Sequence, residues 1–63
     1  MDAKKTGALI AERRKAHGLT QKELAGRLMV SDKAVSKWET GAGCPEVTLL
    51  PLLAETLGIT VDE

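Results

Sequence analysis

Residues 20–41 read Thr20-Gln21-Lys22-Glu23-Leu24-Ala25-Gly26-Arg27-Leu28-Met29-Val30-Ser31-Asp32-Lys33-Ala34-Val35-Ser36-Lys37-Trp38-Glu39-Thr40-Gly41, and they hold two helix starts separated by a short turn. Thr20 followed by Glu23 has the spacing of a capping box, in which each residue satisfies the other's free backbone N–H. The helix it opens carries Leu24, Ala25 and Leu28 on one face and is expected to end near Leu28. Ser31 is the next N-cap candidate. From it a third helix is expected over about residues 32–39, burying Ala34, Val35 and Trp38. Asp32, Lys33, Ser36, Lys37 and Thr40 then form its outer, polar side. Gly41 is the stop.

Outward from this stretch the punctuation continues. A first helix is expected over about residues 4–16, with Ala8, Leu9, Ile10 and Ala16 as its apolar side and Gly18 as the left-handed terminator. After the loop Gly43-Cys44-Pro45, a fourth helix is expected from Val47 or Thr48 to Leu57. With Thr48 as N-cap, Pro51 falls in the first turn, where a missing N–H leaves nothing unpaired. Its stripe of Leu49, Leu50, Leu53 and Leu57 is core. Gly58 closes it, and Ile59 with Thr60-Val61-Asp62-Glu63 reads as the start of a fifth helix. No strand pattern or internal repeat is present, so the expected fold is all-α: four short helices and the beginning of another.

Composition narrows the function classes. Sixty-three residues allow one small domain, burying roughly 60% of the surface its unfolded chain exposes. Hydrophobic residues make up 43% of the chain, enough for a modest core and not for a deep enzyme cleft. Cys44 is the lone cysteine, which excludes an intrachain disulfide and a cysteine-based zinc site. One unpaired thiol and the lack of a signal-peptide pattern point to a cytoplasmic module with no membrane association. No nucleophile–base pair, phosphate-cradling glycine loop or metal cluster is legible, so neither catalysis nor a cofactor is expected. The formal charge of +0 hides a division. Residues 1–43 hold nine basic and five acidic residues, whereas residues 44–63 hold four acidic and none basic.

Two short helices joined by a tight turn, the second with a polar outer face, outline a helix-turn-helix. Leu19-Thr20-Gln21-Lys22-Glu23-Leu24-Ala25, then Val30-Ser31, then Val35-Ser36-Lys37-Trp38-Glu39-Thr40-Gly41, resemble the phage-repressor and Cro-like (XRE-type) family of DNA-binding domains. Pro45, Leu49, Leu53-Ala54 and Leu57-Gly58 continue the pattern, so the resemblance spans about residues 7–63. It implies five helices in a lambda-repressor-like bundle, with the third helix in the major groove of a double-stranded operator. Carried onto this chain, it implies base contacts from Asp32, Lys33, Ser36 and Lys37, and phosphate contacts from Gln21, Lys22, Thr40 and Gly41. Lys4, Lys5, Arg13 and Lys15 are looser candidates for a basic rim. It further implies an ion pair between Arg14 and Glu39 that fixes the third helix against the first. One departure is Met29, where the family's turn carries glycine; a left-handed non-glycine costs on the order of 1 kcal/mol.

The expected role is the reading head of a transcriptional regulator, forming the amino-terminal part of a longer chain. It would act as a homodimer joined through residues at or beyond the carboxyl end. The alternative of another class is a protein-interaction module, antitoxin-like or adaptor. Trp38 is assigned to the core, since no second aromatic exists to build a base-stacking platform. His17 is assigned to the helix-1 terminus, where a cation suits the dipole, and Cys44 to an ordinary loop thiol.

Overall fold

The computed structural model describes residues 2–59. Helix α1 spans Ala3–Ala16, α2 Gln21–Leu28, α3 Asp32–Thr40 and α4 Leu50–Leu57, with one 3-10 turn at Val47–Leu49 ahead of α4. The described residues contain no strand. The expected fifth-helix start at residues 60–63 lies outside them.

Local signals set most of the boundaries. The Asp2 carboxylate opens α1 by accepting from the N–H groups of Lys4 and Lys5, at 2.9 and 3.3 Å. Both halves of the capping box form: Glu23 N–H donates to the Thr20 hydroxyl at 3.0 Å, and Thr20 N–H donates to the Glu23 carboxylate at 2.9 Å. These Thr20 hydrogen bonds, backbone first and then side chain, hold the Glu23 carboxyl below its ordinary value. Ser31 caps α3 through the Ala34 N–H at 3.2 Å. Gly18 and Gly58 follow α1 and α4 in left-handed conformation, as the terminator reading requires.

Two expectations fail. Thr48 does not cap the fourth helix. It lies inside the 3-10 turn, and neither that turn nor α4 has a side-chain cap. Pro51 nevertheless occupies the first turn of α4, where its missing N–H is tolerated. The apolar side of α1 is also narrower than expected. Ile10 is buried, but Ala8, Leu9 and Ala16 are exposed, because the face that meets α3 passes through Gly7 instead.

The core gathers Ile10, Leu24, Ala25, Leu28, Val35, Trp38, Leu53 and Leu57, with Leu19, Val30, Ala34, Leu49, Leu50 and Ile59 packed against it. Every helix contributes. The tightest approach is between α1 and α3, where Gly7 presses on the α3 backbone. A Cβ there would overlap the Trp38 carbonyl oxygen and lie 3.1 Å from the Glu39 carbonyl carbon and oxygen. Backbone cannot swing aside as a flexible side chain can, so only glycine lets the helices come this close. Gly26, by contrast, has nothing within 4 Å of the position a Cβ would take.

The turn between α2 and α3 takes the family's geometry without its glycine. Met29 has φ 58° and ψ 41°, squarely left-handed, and its side chain is 91% exposed. It therefore carries strain with little packing to offset it.

Three substitutions should separate these effects by thermal melting. Gly7→Ala should destabilise by about 2–3 kcal/mol through overpacking. Gly26→Ala should stabilise by about 1 kcal/mol, because it removes helix-interior glycine into open space. Met29→Gly should raise the midpoint by a few degrees, relief of roughly 0.5–1 kcal/mol after the glycine entropy cost. A lower midpoint for Met29→Gly would show that the exposed side chain contributes more than the turn strain costs.

Candidate nucleic-acid interface

Helix α3 presents Asp32, Lys33 and Lys37 to solvent, with Ser36 half-buried beside them, while Val35 and Trp38 on the opposite side are buried. Lys33 and Lys37 are one turn apart and share the outer face. A core-anchored helix with a polar, exposed ridge is what major-groove docking requires sterically.

Two other segments meet that ridge near its carboxyl end. One is the amino terminus of α2. There Glu23 N–H is taken by the Thr20 hydroxyl, which leaves the N–H groups of Gln21 and Lys22 ahead of the first intrahelical bond. They carry the positive end of the helix dipole, the usual place for an anion. Lys22 is exposed there, and Gln21 is half-buried. The Gln21 side chain turns inward and donates to Glu39 Oε1 at 3.0 Å. Sequence reading had no signal for that bond, which joins residues on different helices.

Beside it, the carboxyl end of α3 closes on itself. The Thr40 hydroxyl donates to the Lys37 carbonyl at 3.1 Å, and the N–H groups of Ala42 and Gly43 donate to the same oxygen at 2.9 and 3.3 Å. Gly41, at φ 82°, caps α3 with its N–H turned back on Lys37 and Trp38. Loop donors there are thus engaged internally, and the adjacent cation is Lys4. A Cβ on Gly41 would sit 2.9 Å from Lys4 Cγ, so the first turn of α1 rests on the end of α3. Of the basic-rim candidates, Lys4, Lys5 and Lys15 are exposed. Arg13 is half-buried, and its Nε is shielded without a hydrogen-bond partner among the described residues.

Arg14 and Glu39 form the ion pair that the resemblance implies. Arg14 Nε donates to Glu39 Oε2 at 2.6 Å and Nη2 to Oε1 at 3.1 Å, a side-on bidentate pair. Nη1 donates to the Leu19 carbonyl at 2.7 Å. The two side chains are only 11% and 7% exposed. Burial pushes the Glu39 carboxyl up. The hydrogen bonds from Arg14 and Gln21, with the charges of Arg14 and Lys15, outweigh it and hold the group below its ordinary 4.5. Arg14 is raised in turn, chiefly by its hydrogen bond to Glu39.

His17 finds a structural partner outside this interface. Its Nε2 lies 2.8 Å from the Leu57 carbonyl oxygen, which can only accept, so the ring carries its proton on Nε2. The bond ties the end of α1 to the end of α4. Cys44 is free and exposed. Among the described residues no group of three or more His, Cys, Asp or Glu side chains is arranged to hold a metal ion. No helix there is long and apolar enough to cross a membrane.

This bundle, with two capped helices meeting at a left-handed turn, is that of a helix-turn-helix domain. The helix-turn-helix family profile matches residues 10–63, and the chain belongs to that family, of the XRE type. It is 42% identical over 50 residues to the HTH-type transcriptional activator BcrR of Enterococcus faecalis, covering 79% of this chain. The chain spans about a quarter of that relative, 24% of its length. Two crystal structures of the clp gene regulator ClgR from Corynebacterium glutamicum are similar, each at 28% identity over 95% of this chain. Their TM-scores are 0.82 and 0.85, covering 78% and 64% of the ClgR chains.

Removing one partner of the ion pair leaves the other desolvated. Arg14→Ala and Glu39→Ala should each cost about 3 kcal/mol, the low end for a broken buried pair, lowering the melting midpoint by roughly 10 °C or more. The acid limb follows from linkage. The folded carboxyl is depressed, so its stabilisation is present above the ordinary 4.5 and lost as pH falls through the folded value. Melting midpoints from neutral pH down to about pH 3 should therefore fall less steeply for Glu39→Gln than for the unchanged chain. A residual slope is expected from Glu23, whose carboxyl is also held low.

Proposed function

We propose that this domain binds double-stranded DNA sequence-specifically, as the reading head of a transcriptional regulator, with α3 in the major groove. The observation that carries the reading is the outer face of α3, polar along its length, with the α2 amino terminus and Lys4 of α1 both meeting its carboxyl end. Lys33 and Lys37 suit guanine O6 and N7, Ser36 several base edges, and Asp32 the cytosine N4 amino group. The α2 amino terminus, with Gln21 and Lys22, takes one phosphate. Thr40 and Gly41, with Lys4 beside them, flank a second. The regulatory role is supported by the family and by its similarity to a transcriptional activator and a clp gene regulator.

A single module buries only about 600–1,000 Å² on DNA. Tight binding therefore calls for a homodimer on half-sites roughly 34–36 Å apart. DNA is the only partner class the interface requires, with no cofactor, and the working compartment is the cytoplasm. A second reading, a protein-interaction module of antitoxin-like or adaptor type, is favoured by one feature. The exposed Met29 borders a groove of about 480 Å³ lined by Leu28, Val30, Ala34, Trp38 and Leu49, with Cys44 and Glu46 at its wall.

Selection from a random duplex pool decides between them. An enriched sequence should emerge at low salt, with affinity that falls linearly on a log–log plot as salt rises. Lys22→Ala should weaken every duplex alike and reduce that slope by about one, whereas Lys33→Ala or Lys37→Ala should also relax preference at particular base pairs, at about 1–3 kcal/mol each. No enrichment at any salt would favour the protein-interaction reading.

A further inference from the structure

Glu39 makes more hydrogen bonds than an ion pair with Arg14 needs. Its Oε1 accepts from Arg14 Nη2 at 3.1 Å and also from Gln21 Nε2 at 3.0 Å. Gln21 is the first residue of α2 and lies beside the free N–H groups of that helix. A carboxamide has two N–H donors and is planar, so fixing one fixes the direction of the other. An unrestrained glutamine at a helix end loses rotamer freedom whenever it grips a ligand. Here that freedom is already spent in the free protein. The bidentate Arg14 contact neutralises the carboxylate, so an approaching phosphate meets amide donors and no net negative charge.

We propose that Glu39 is a positioning residue for DNA binding. By holding Gln21 Nε2, it aims that group's second N–H, together with the α2 amino terminus, at a phosphate that Glu39 never touches. The proposal rests on reading the α2 amino terminus as a phosphate site. It assigns a binding role to a residue whose ion pair alone would be structural.

Simple truncation of Glu39 strands the Arg14 charge and confuses the two roles. The informative variant is Arg14→Met/Glu39→Met, since replacing a buried pair by apolar groups of similar size is often neutral for stability. It removes no net charge, so the number of phosphates neutralised should not change. Affinities for the duplex enriched from the pool would be measured by fluorescence anisotropy, with folding checked by circular dichroism. Expected are an unchanged salt slope and affinity lower by about fivefold, a size typical for one hydrogen bond. Gln21→Met should lose a similar factor on every duplex. Combining all three substitutions should cost little beyond either alone, because Glu39 acts through Gln21. Losses that multiply, or full affinity in Arg14→Met/Glu39→Met, would overturn the proposal.

If Arg14→Met/Glu39→Met does not fold, the unchanged chain still decides. In its NMR spectrum one Gln21 Nε2 proton should be shifted by Glu39 before DNA is added, and the other should move during titration. A Gln21 amide group that does not respond to bound duplex overturns the proposal. Absence of binding by the unchanged chain to any duplex is a different result. It removes the phosphate site itself, and the proposal with it.

Discussion

The Arg14 guanidinium is the fixed point of this small domain. Its donors reach Glu39 on α3 and the Leu19 carbonyl ahead of α2, while its own backbone belongs to α1. One planar group with donors in set directions therefore fixes three segments at once, something a lysine's single ammonium would do with less directional control. Gly7, two turns earlier, makes that geometry reachable by letting α1 lie directly on the Trp38–Glu39 backbone. Close approach brings the charges together, and the charges hold the approach. A core with eight buried hydrophobic residues among the described ones leaves a narrow stability margin, typically a few kcal/mol at this size. One buried bidentate pair then counts for a large share of what keeps α3 in place.

This arrangement gives an α3 that is rigid where it is packed and open where it is polar. Ser31 and Gly41 terminate α3 on both sides, so its outer face is short and its orientation is not shared with a longer rod. The strain at Met29 belongs to the same design. The α2–α3 turn must pass through left-handed space whatever residue occupies it, because the helix ends are fixed by the core. The α4 side is anchored separately, by Leu53 and Leu57 in the core and by the His17 bond to the Leu57 carbonyl.

What could be read from the sequence was what is decided locally. Thr20 with Glu23, Ser31, Gly18, Gly41 and Gly58 act on their own neighbours within a few residues, and each did what its type predicts. The Leu24, Ala25, Leu28 face and the Val35, Trp38 face were legible through periodicity. Arg14 and Glu39 were paired only through the family resemblance, since nothing in spacing joins residues on different helices. Illegible features share that property. Gly7 carried no signal of its own, since the neighbour that requires it lies on α3, and Leu9 looked like core until the packed face proved to run elsewhere. His17 and Gln21 found partners on other elements, where sequence separation hides contact. Thr48 misled for a local reason: a 3-10 turn took the place of the cap it would have supplied.

The charge division gains meaning from this geometry. Zero net charge gives little long-range attraction to DNA, so binding must come from the placement of charge. The chain supplies that placement by topology. Its basic residues all lie on the segment that builds α1, α2 and α3, and among the described residues beyond Cys44 the charges are Glu46 and Glu55 only. α4 packs against α1 and α2, so its acidic residue, Glu55, is carried by an element that does not build the α3 ridge. A polyanion thus meets a molecule whose charge is segregated along the chain, and a wrongly oriented encounter is penalised by like-charge repulsion. Where a uniformly basic domain would hold any duplex in many poses, a segregated one narrows the poses before a single base edge is read. If α3 reads base edges as proposed, that restriction adds to what its four candidate side chains can select.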